Sequence, residues 1–275
     1  MERIATSRGE FEFETRGTGE PLVLIHGGVS GETDHCLLDQ PALTDRYAVT
    51  VYHRRGFLGS PAHTGPFSIA EQAADARAVI EAIVGGPAHM SAHSYGGVIL
   101  LQLGLDAPDL VHTLALREPP LPVPSAAAFI GRLAGTVPIY ESGDAAGAID
   151  AFLDIVLGPG EYREAAERNM PTGWQERAVA DAPTMYEVEF PALGEWQFTK
   201  EMADRIAQPV LSVVGARSDP FFREGDALLR EWFPQAETFL VPNASHGLQY
   251  MNPRAVAEGI AAFLEKHPMR TAAAV

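Results

Sequence analysis

The stretch that decides the fold is SAHSYGG, at residues 91–97. Ser94 stands between a predicted strand and a predicted helix, with Ala92 two residues before it and Gly96 two residues after it. This is the G-x-S-x-G nucleophile-elbow pattern with alanine in place of the first glycine. The pattern predicts that Ser94 is a nucleophile, although the same letters also fit a plain glycine-rich turn between a strand and a helix.

Strands and helices alternate on both sides of this turn. Short apolar runs predict buried strands at 22–25, 47–52, 88–92, 111–116, 209–214 and 236–241, and an alternating run predicts an edge strand at 10–15. Helices are predicted from Ser68, where an S-x-x-E capping box begins, and at 98–107, near 225–232 and at 253–266. This alternation predicts a mainly parallel sheet with helices on both faces.

The alternation is interrupted in the middle of the chain. Residues 121–205 have a helical pattern after a proline-rich entry, with no buried-strand run. We therefore predict an α/β core formed by 1–120 and 206–275, and a helical cap or lid formed by 121–205. Helices inserted there would cover the carboxyl ends of the strands, where α/β sheets bind ligands.

Composition excludes several classes of protein. The 275 residues are 46% hydrophobic and 20% charged, which is typical of a globular protein with a full hydrophobic core. The formal net charge of −16 argues against a nucleic-acid backbone or an anionic membrane surface as the partner. Cys36 stands alone, so we expect no intrachain disulfide, no multi-thiolate metal site and a cytoplasmic location. The nine histidines form no H-E-x-x-H or similar ligand pattern, so we expect no other metal site.

Two further segments carry groups that Ser94 needs. His26-Gly27-Gly28 follows the first buried strand, and the backbone N–H groups of Gly28 and Tyr95 are the predicted oxyanion donors, unless the first segment is only a βα turn. His246 follows the last strand, where an imidazole can accept the serine proton and return it to the leaving group.

Two carboxylates are candidates for the third member of a triad. Asp219 follows the strand at 209–214, and the alternative to a catalytic role is a structural one, as a loop cap beside Pro220. Glu118 follows the strand at 111–116, and the alternative to a catalytic role is an ion pair with Arg117 or with a neighbouring residue. Both orders, Ser…Asp…His and Ser…Glu…His, occur in enzymes with a nucleophile elbow.

The chain resembles the α/β-hydrolase superfamily over nearly its whole length. The matching segments are HGG at 26–28, HRRGFLGS at 53–60, AHSYGG at 92–97, GARSDP at 215–220 and ASHG at 244–247. They depart from the family pattern at Ala92, His53 and Leu58. A finer resemblance, to capped serine hydrolases that include zearalenone-type lactone hydrolases, implies an eight-stranded sheet and gives a slight preference for Glu118 over Asp219.

These observations predict a cofactor-independent serine hydrolase that cleaves a carboxylic ester or lactone of a small, moderately apolar substrate. Other chemistry of the same fold, such as C–C bond hydrolysis or perhydrolysis, and a ligand-binding receptor with a vestigial triad remain alternatives. We expect a monomer or homodimer. Most apolar side chains of 121–205 are expected to pack within the cap. The predicted substrate-binding residues are Val29, Trp174, Tyr186 and Trp196.

Overall fold

The computed structural model describes residues 1–269, so the end of the predicted second core segment, 270–275, lies outside the described residues. Eight strands form one sheet in the order β1-β2-β4-β3-β5-β6-β7-β8. Their bounds are β1 Glu2–Thr6, β2 Gly9–Arg16, β3 Glu20–Ile25, β4 Tyr47–Tyr52, β5 Ala88–His93, β6 Val111–Arg117, β7 Val210–Gly215 and β8 Glu237–Val241.

The sheet confirms the predicted fold class. Strands β1, β2 and β4 pair antiparallel, and every other neighbouring pair is parallel. The sequence patterns missed β1, because none of its five residues is buried and it has no apolar run. As a result β2, which was predicted as the edge strand, is the second strand of the sheet.

Helices connect the strands and cover the sheet. The helix predicted from Ser68 runs from Ile69 to Ile83 and begins with the predicted capping box. The helices Tyr95–Asp106 and Pro220–Trp232 begin earlier than the sequence predicts, because the elbow glycines and Pro220 obscure their first turns. The bounds are α1 Pro41–Thr44, α2 Ile69–Ile83, α3 Tyr95–Asp106, α4 Ala126–Ala134, α5 Val137–Glu141, α6 Ala145–Leu157, α7 Arg163–Asn169, α8 Trp174–Ala180, α9 Phe190–Glu195, α10 Lys200–Ala203, α11 Pro220–Trp232, α12 Leu248–Met251 and α13 Pro253–Leu264.

The chain between β6 and β7 includes the segment 121–205, which the sequence predicts to be helical. It contains α4 to α10 and a π-helical turn at Thr184–Glu189. Side chains from α4, α6 and α9 share one pocket with residues that follow β3 and β5. The segment therefore packs over the end of the sheet where these parallel strands finish, which is where α/β sheets bind ligands. Within residues 1–269, no helix combines the length and the apolar character needed to cross a membrane.

Candidate active site

Ser94 lies at a strained turn between β5 and α3. Its backbone has φ 50° and ψ −120°, a conformation that side-chain-bearing residues rarely adopt. Gly96 permits the turn, since a Cβ there would lie 2.5 Å from the carbonyl oxygens of Ile25 and His26. Ala92 is fully buried. The small residues on both sides of Ser94 thus have the steric role that the nucleophile-elbow pattern requires.

A continuous hydrogen-bonded chain joins Ser94 to a carboxylate. The Ser94 hydroxyl lies 2.9 Å from Nε2 of His246, and Nδ1 of the same ring lies 2.7 Å from Oε2 of Glu118. The other oxygen of Glu118 accepts a hydrogen bond from the backbone N–H of Gly215 at 2.8 Å. A serine, an imidazole and a carboxylate in this order can transfer a proton from the hydroxyl and stabilise the imidazolium that forms.

Asp219, the other candidate acid, is engaged elsewhere. Its Oδ1 accepts from the backbone N–H of Phe221 at 2.9 Å and thereby caps α11. Its Oδ2 accepts from Arg132 at 2.6 Å. Of the two carboxylates, the structure brings Glu118 to His246 and leaves Asp219 in the loop-cap position.

The imidazole of His246 is held on two further sides. The ring of Phe222 stacks on it with centroids 3.8 Å apart and planes 9° apart. The ring of His93 lies on another side with centroids 4.7 Å apart, and its Nε2 donates to the backbone oxygen of His246 at 2.8 Å. Sequence reasoning did not identify either contact, because Phe222 is one of several apolar residues in α11 and His93 is 153 residues away along the chain. These contacts restrict the ring to the orientation that faces Ser94.

The turn after β3 carries the first predicted oxyanion donor. Arg54 donates to the backbone oxygens of His26 at 3.1 Å and Gly27 at 2.7 Å, and so holds the turn that precedes Gly28. Val29 follows with φ 71°, which is an uncommon value for a β-branched residue.

Tyr95, the residue predicted as the second donor, occupies the first position of α3. N–H groups in the first turn of a helix have no acceptor within the helix. They also lie at its positive end, which favours negative charge. The backbone N–H of Tyr95 therefore has no acceptor within α3, as the predicted role of oxyanion donor requires.

An apolar pocket opens next to Ser94. Its walls include the predicted pocket residues Val29 and Trp174, and both Gly28 and Tyr95. The other lining residues are Ser30, Thr33, His93, Pro120, Phe129, Leu133, Phe152, Leu153, Val156, Leu157, Met170, Met185, Glu189, Phe190, Leu193, Phe222 and Tyr250, together with Ser94 and His246.

Tyr186 and Trp196 were predicted to line this pocket, but neither is among its lining residues. The hydroxyl of Tyr186 donates to the backbone oxygen of Ala148, and its ring stacks on Tyr140. Trp196 donates from Nε1 to Gln102 of α3 and stacks on Phe198. Tyr186 therefore joins two segments of the chain, whereas Trp196 lines an adjoining pocket that shares Phe129 and Leu133 with this one.

Several pocket residues were instead expected to be internal packing of the cap. Phe152, Leu153 and Val156 all lie on α6 and line the pocket. Their helical spacing indicates an apolar face, but a periodic pattern is the same whether that face meets a core or a cavity.

Among the described residues, no group of three or more His, Cys, Asp or Glu side chains is arranged to hold a metal ion.

Buried histidines around the site predict loss of stability in acid. Burial lowers the pKa of His26 and of His93 well below the usual value, with Arg54 and His246 as further causes. In the unfolded chain these imidazoles bind protons below about pH 6.5, whereas the folded protein keeps them neutral. The free energy of unfolding should therefore fall by about 2 kcal/mol between pH 7 and pH 5.5.

Urea titrations at those two pH values measure the change. Burial raises the pKa of Asp181 to about 6, which opposes the trend, but four further histidines with pKa values lowered by burial add to it. A free energy of unfolding that stays constant or rises over this interval would contradict the assignment of buried, neutral imidazoles.

The sequence of this chain is similar to those of known hydrolases. The sequence profile of the family described as alpha/beta hydrolase fold matches residues 20–253. A pimeloyl-[acyl-carrier protein] methyl ester esterase from Aeromonas hydrophila is 27% identical over 263 residues, which cover 91% of this chain and 98% of the relative. A candidate carbamate hydrolase, RutD, from Azorhizobium caulinodans is 34% identical over 104 residues, covering 38% of this chain and only 39% of the relative.

A solved structure extends the fold comparison. The thermophilic esterase from Thermogutta terrifontis superposes with a TM-score of 0.79 over 97% of this chain and 99% of its own, at 22% sequence identity. At this level of identity the match shows a shared fold.

Proposed function

The chain belongs to the α/β-hydrolase family, and from that premise we propose that it is a serine hydrolase that cleaves a carboxylic ester or lactone of a small, moderately apolar substrate. Ser94 attacks the carbonyl carbon while His246 accepts its proton, and Glu118 holds the imidazole and stabilises its charged form. The backbone N–H groups of Gly28 and Tyr95 bind the oxyanion. The tetrahedral intermediate then collapses, the bond to the leaving oxygen breaks, and the alkoxide takes the proton from His246. Water that gives its proton to His246 attacks the acyl-enzyme, and the acid is released as Ser94 regains its proton, with no cofactor.

The observation that carries this proposal is the uninterrupted chain from hydroxyl to carboxylate. The 2.9 Å contact between Ser94 and His246 and the 2.7 Å contact between His246 and Glu118 are both within hydrogen-bonding distance. Ser94 also has a strained backbone conformation beside a pocket. Strain of this kind costs free energy and clusters at functional sites, so a purely structural role does not account for these contacts. The relative named as a methyl ester esterase, which matches over 91% of this chain, supports ester chemistry.

The apolar pocket supports the proposed class of substrate. Its walls are mainly Phe, Leu, Val and Met side chains, which favour an aliphatic or aromatic arm over a charged one. Many of these side chains belong to the segment 121–205, and we propose that this segment acts as the cap over a core formed by 1–120 and 206–275. The substrate is a small molecule, and the single cysteine favours a cytoplasmic location.

An activated-serine probe tests the proposal most directly. Wild-type protein is incubated with a fluorophosphonate, and its intact mass is compared with that of Ser94→Ala treated in the same way. We expect one phosphonyl adduct on the wild type and none on the variant, because the nucleophilic oxygen is missing from the variant. An ester and lactone panel then defines the substrate range.

The control is a folded protein with the same circular-dichroism spectrum before and after treatment. A wild type that stays unlabelled while folded would contradict an activated Ser94 and favour the ligand-binding reading. An adduct that also forms on Ser94→Ala would place the reactive group elsewhere in the chain.

A further inference from the structure

Glu189 is a buried carboxylate in the wall of the pocket. It ends the π-helical turn at Thr184–Glu189, is 1% exposed and lines the pocket together with Gly28 and Ser94. The side chains around it are mainly apolar, and it is the one carboxylate among the lining residues that the structure describes. A charged residue almost never stays fully buried without a partner, so its contacts require an explanation.

The charge of Glu189 is balanced, but its hydrogen-bonding capacity is not. Nη2 of Arg54 lies 2.6 Å from Oε1, and both side chains are nearly fully buried. Oε1 is fully enclosed, so Arg54 is the group that balances it and a ligand does not reach it. Three of the five N–H groups of Arg54 donate to His26, Gly27 and Gln72. The oxygen left for a ligand is Oε2, on the side of Gly28, and a donor that reaches it would gain a hydrogen bond to a charged acceptor.

Glu189 also lies beside the predicted oxyanion turn. Its Oε2 would be 2.9 Å from a Cβ built on Gly28, whose N–H is the proposed oxyanion donor. A substrate carbonyl held by Gly28 therefore has the carboxylate of Glu189 next to it. Burial raises the pKa of Glu189, and the neighbouring Arg54 opposes part of this rise because its guanidinium stabilises the ionised carboxylate.

The chemistry of the group indicates what it binds. An ionised carboxylate only accepts hydrogen bonds, so its complement in an apolar pocket is a donor. A cationic substrate is disfavoured, because Arg54 already balances the charge. Resting on the hydrolase function proposed above, we propose that Glu189 is a specificity-determining residue that selects esters and lactones with a neutral hydroxyl or amide N–H next to the scissile carbonyl.

Three matched substrates test the proposed recognition. Methyl 2-hydroxyoctanoate carries the donor, methyl 2-methoxyoctanoate blocks it, and methyl octanoate lacks the substituent. For the wild type, kcat/KM for the hydroxy ester should exceed both other values by about 10- to 100-fold, the range expected for a hydrogen bond to a charged acceptor. Equal values for the three esters would overturn the proposal.

Variants then assign the preference to Glu189. In Glu189→Gln, Arg54 attracts the amide oxygen and leaves the amide N–H₂ facing the pocket, so the preference should disappear. Glu189→Asp keeps the charge but withdraws it by one methylene, and should reduce the preference. The matched control is Glu187→Gln, two residues earlier and hydrogen-bonded to Tyr140, which should keep the wild-type ratio.

The ratio of two substrates on one preparation does not depend on the fraction of folded enzyme, so a poorly folding variant remains informative. If Glu189→Gln lowers kcat/KM equally for all three esters, Glu189 only holds Arg54 in place and the proposal is wrong. If the wild type forms a fluorophosphonate adduct and hydrolyses methyl octanoate without preferring the hydroxy ester, only this proposal fails. If it forms no adduct and hydrolyses none of the esters, the hydrolase function fails first.

Discussion

Replacing Ser94 with alanine should lower kcat for an ester substrate by about 10⁶-fold, the size of the loss when a serine hydrolase loses its nucleophile. The variant retains the pocket, the proposed oxyanion donors and the pair formed by His246 and Glu118. It has no oxygen that can form the acyl-enzyme. Substrate binding should therefore survive, and turnover should fall to the residual catalysis that binding and the oxyanion donors still provide, about 10³- to 10⁴-fold above unassisted attack by water.

Steady-state kinetics with a chromogenic ester measure this loss, and isothermal calorimetry with a non-hydrolysable analogue measures the retained binding. The matched control is Ser142→Ala, an exposed serine whose hydroxyl donates to the backbone oxygen of Ile139 in the segment 121–205. Its kcat should stay within about twofold of the wild type, since surface substitutions away from a site have small effects. If Ser94→Ala retained more than a hundredth of the activity, a different nucleophile would be required.

The fold was largely predictable because its determinants are local. Apolar runs that end in glycines identify strands buried on both faces, and the capping box at Ser68 identifies the start of α2. The elbow around Ser94 was recognisable because its steric demands fall on residues only two positions away. Strand β1 was missed because it has no apolar pattern of its own, and its pairing with β2 depends on the turn between the two strands.

Contacts between distant segments were not predictable in the same way. Glu118 and Asp219 both follow a parallel strand, so the sequence alone leaves both near one end of the sheet. What separates them is the path of each loop: Glu118 has φ 49° and reaches His246, whereas Asp219 caps the helix that starts beside it. The ion pair of Arg54 and Glu189 joins positions 135 residues apart, and neither position carries a pattern that indicates the other.

Exchange of each carboxylate for its amide distinguishes the two acids, and Glu118→Gln should lower kcat by about 10⁴-fold. The backbone N–H of Gly215 donates to Oε1 of Glu118, so the amide oxygen of glutamine is expected to take that position. Its N–H₂ group then faces Nδ1 of His246 and donates to it. The imidazole proton moves to Nε2, where the ring can no longer accept the proton of Ser94.

Asp219→Asn is the matched control and should change kcat by less than about threefold. The amide oxygen still caps α11 by accepting from Phe221, and the lost ion pair with the half-exposed Arg132 is worth at most about 1 kcal/mol of stability. Measurements of kcat against pH for both variants complete the comparison. A loss of about 10⁴-fold at Asp219 with little effect at Glu118 would reverse the proposed assignment, and small losses at both would mean that His246 works without a carboxylate. The two substitutions remove the same charge, so a difference between them measures the contact with His246.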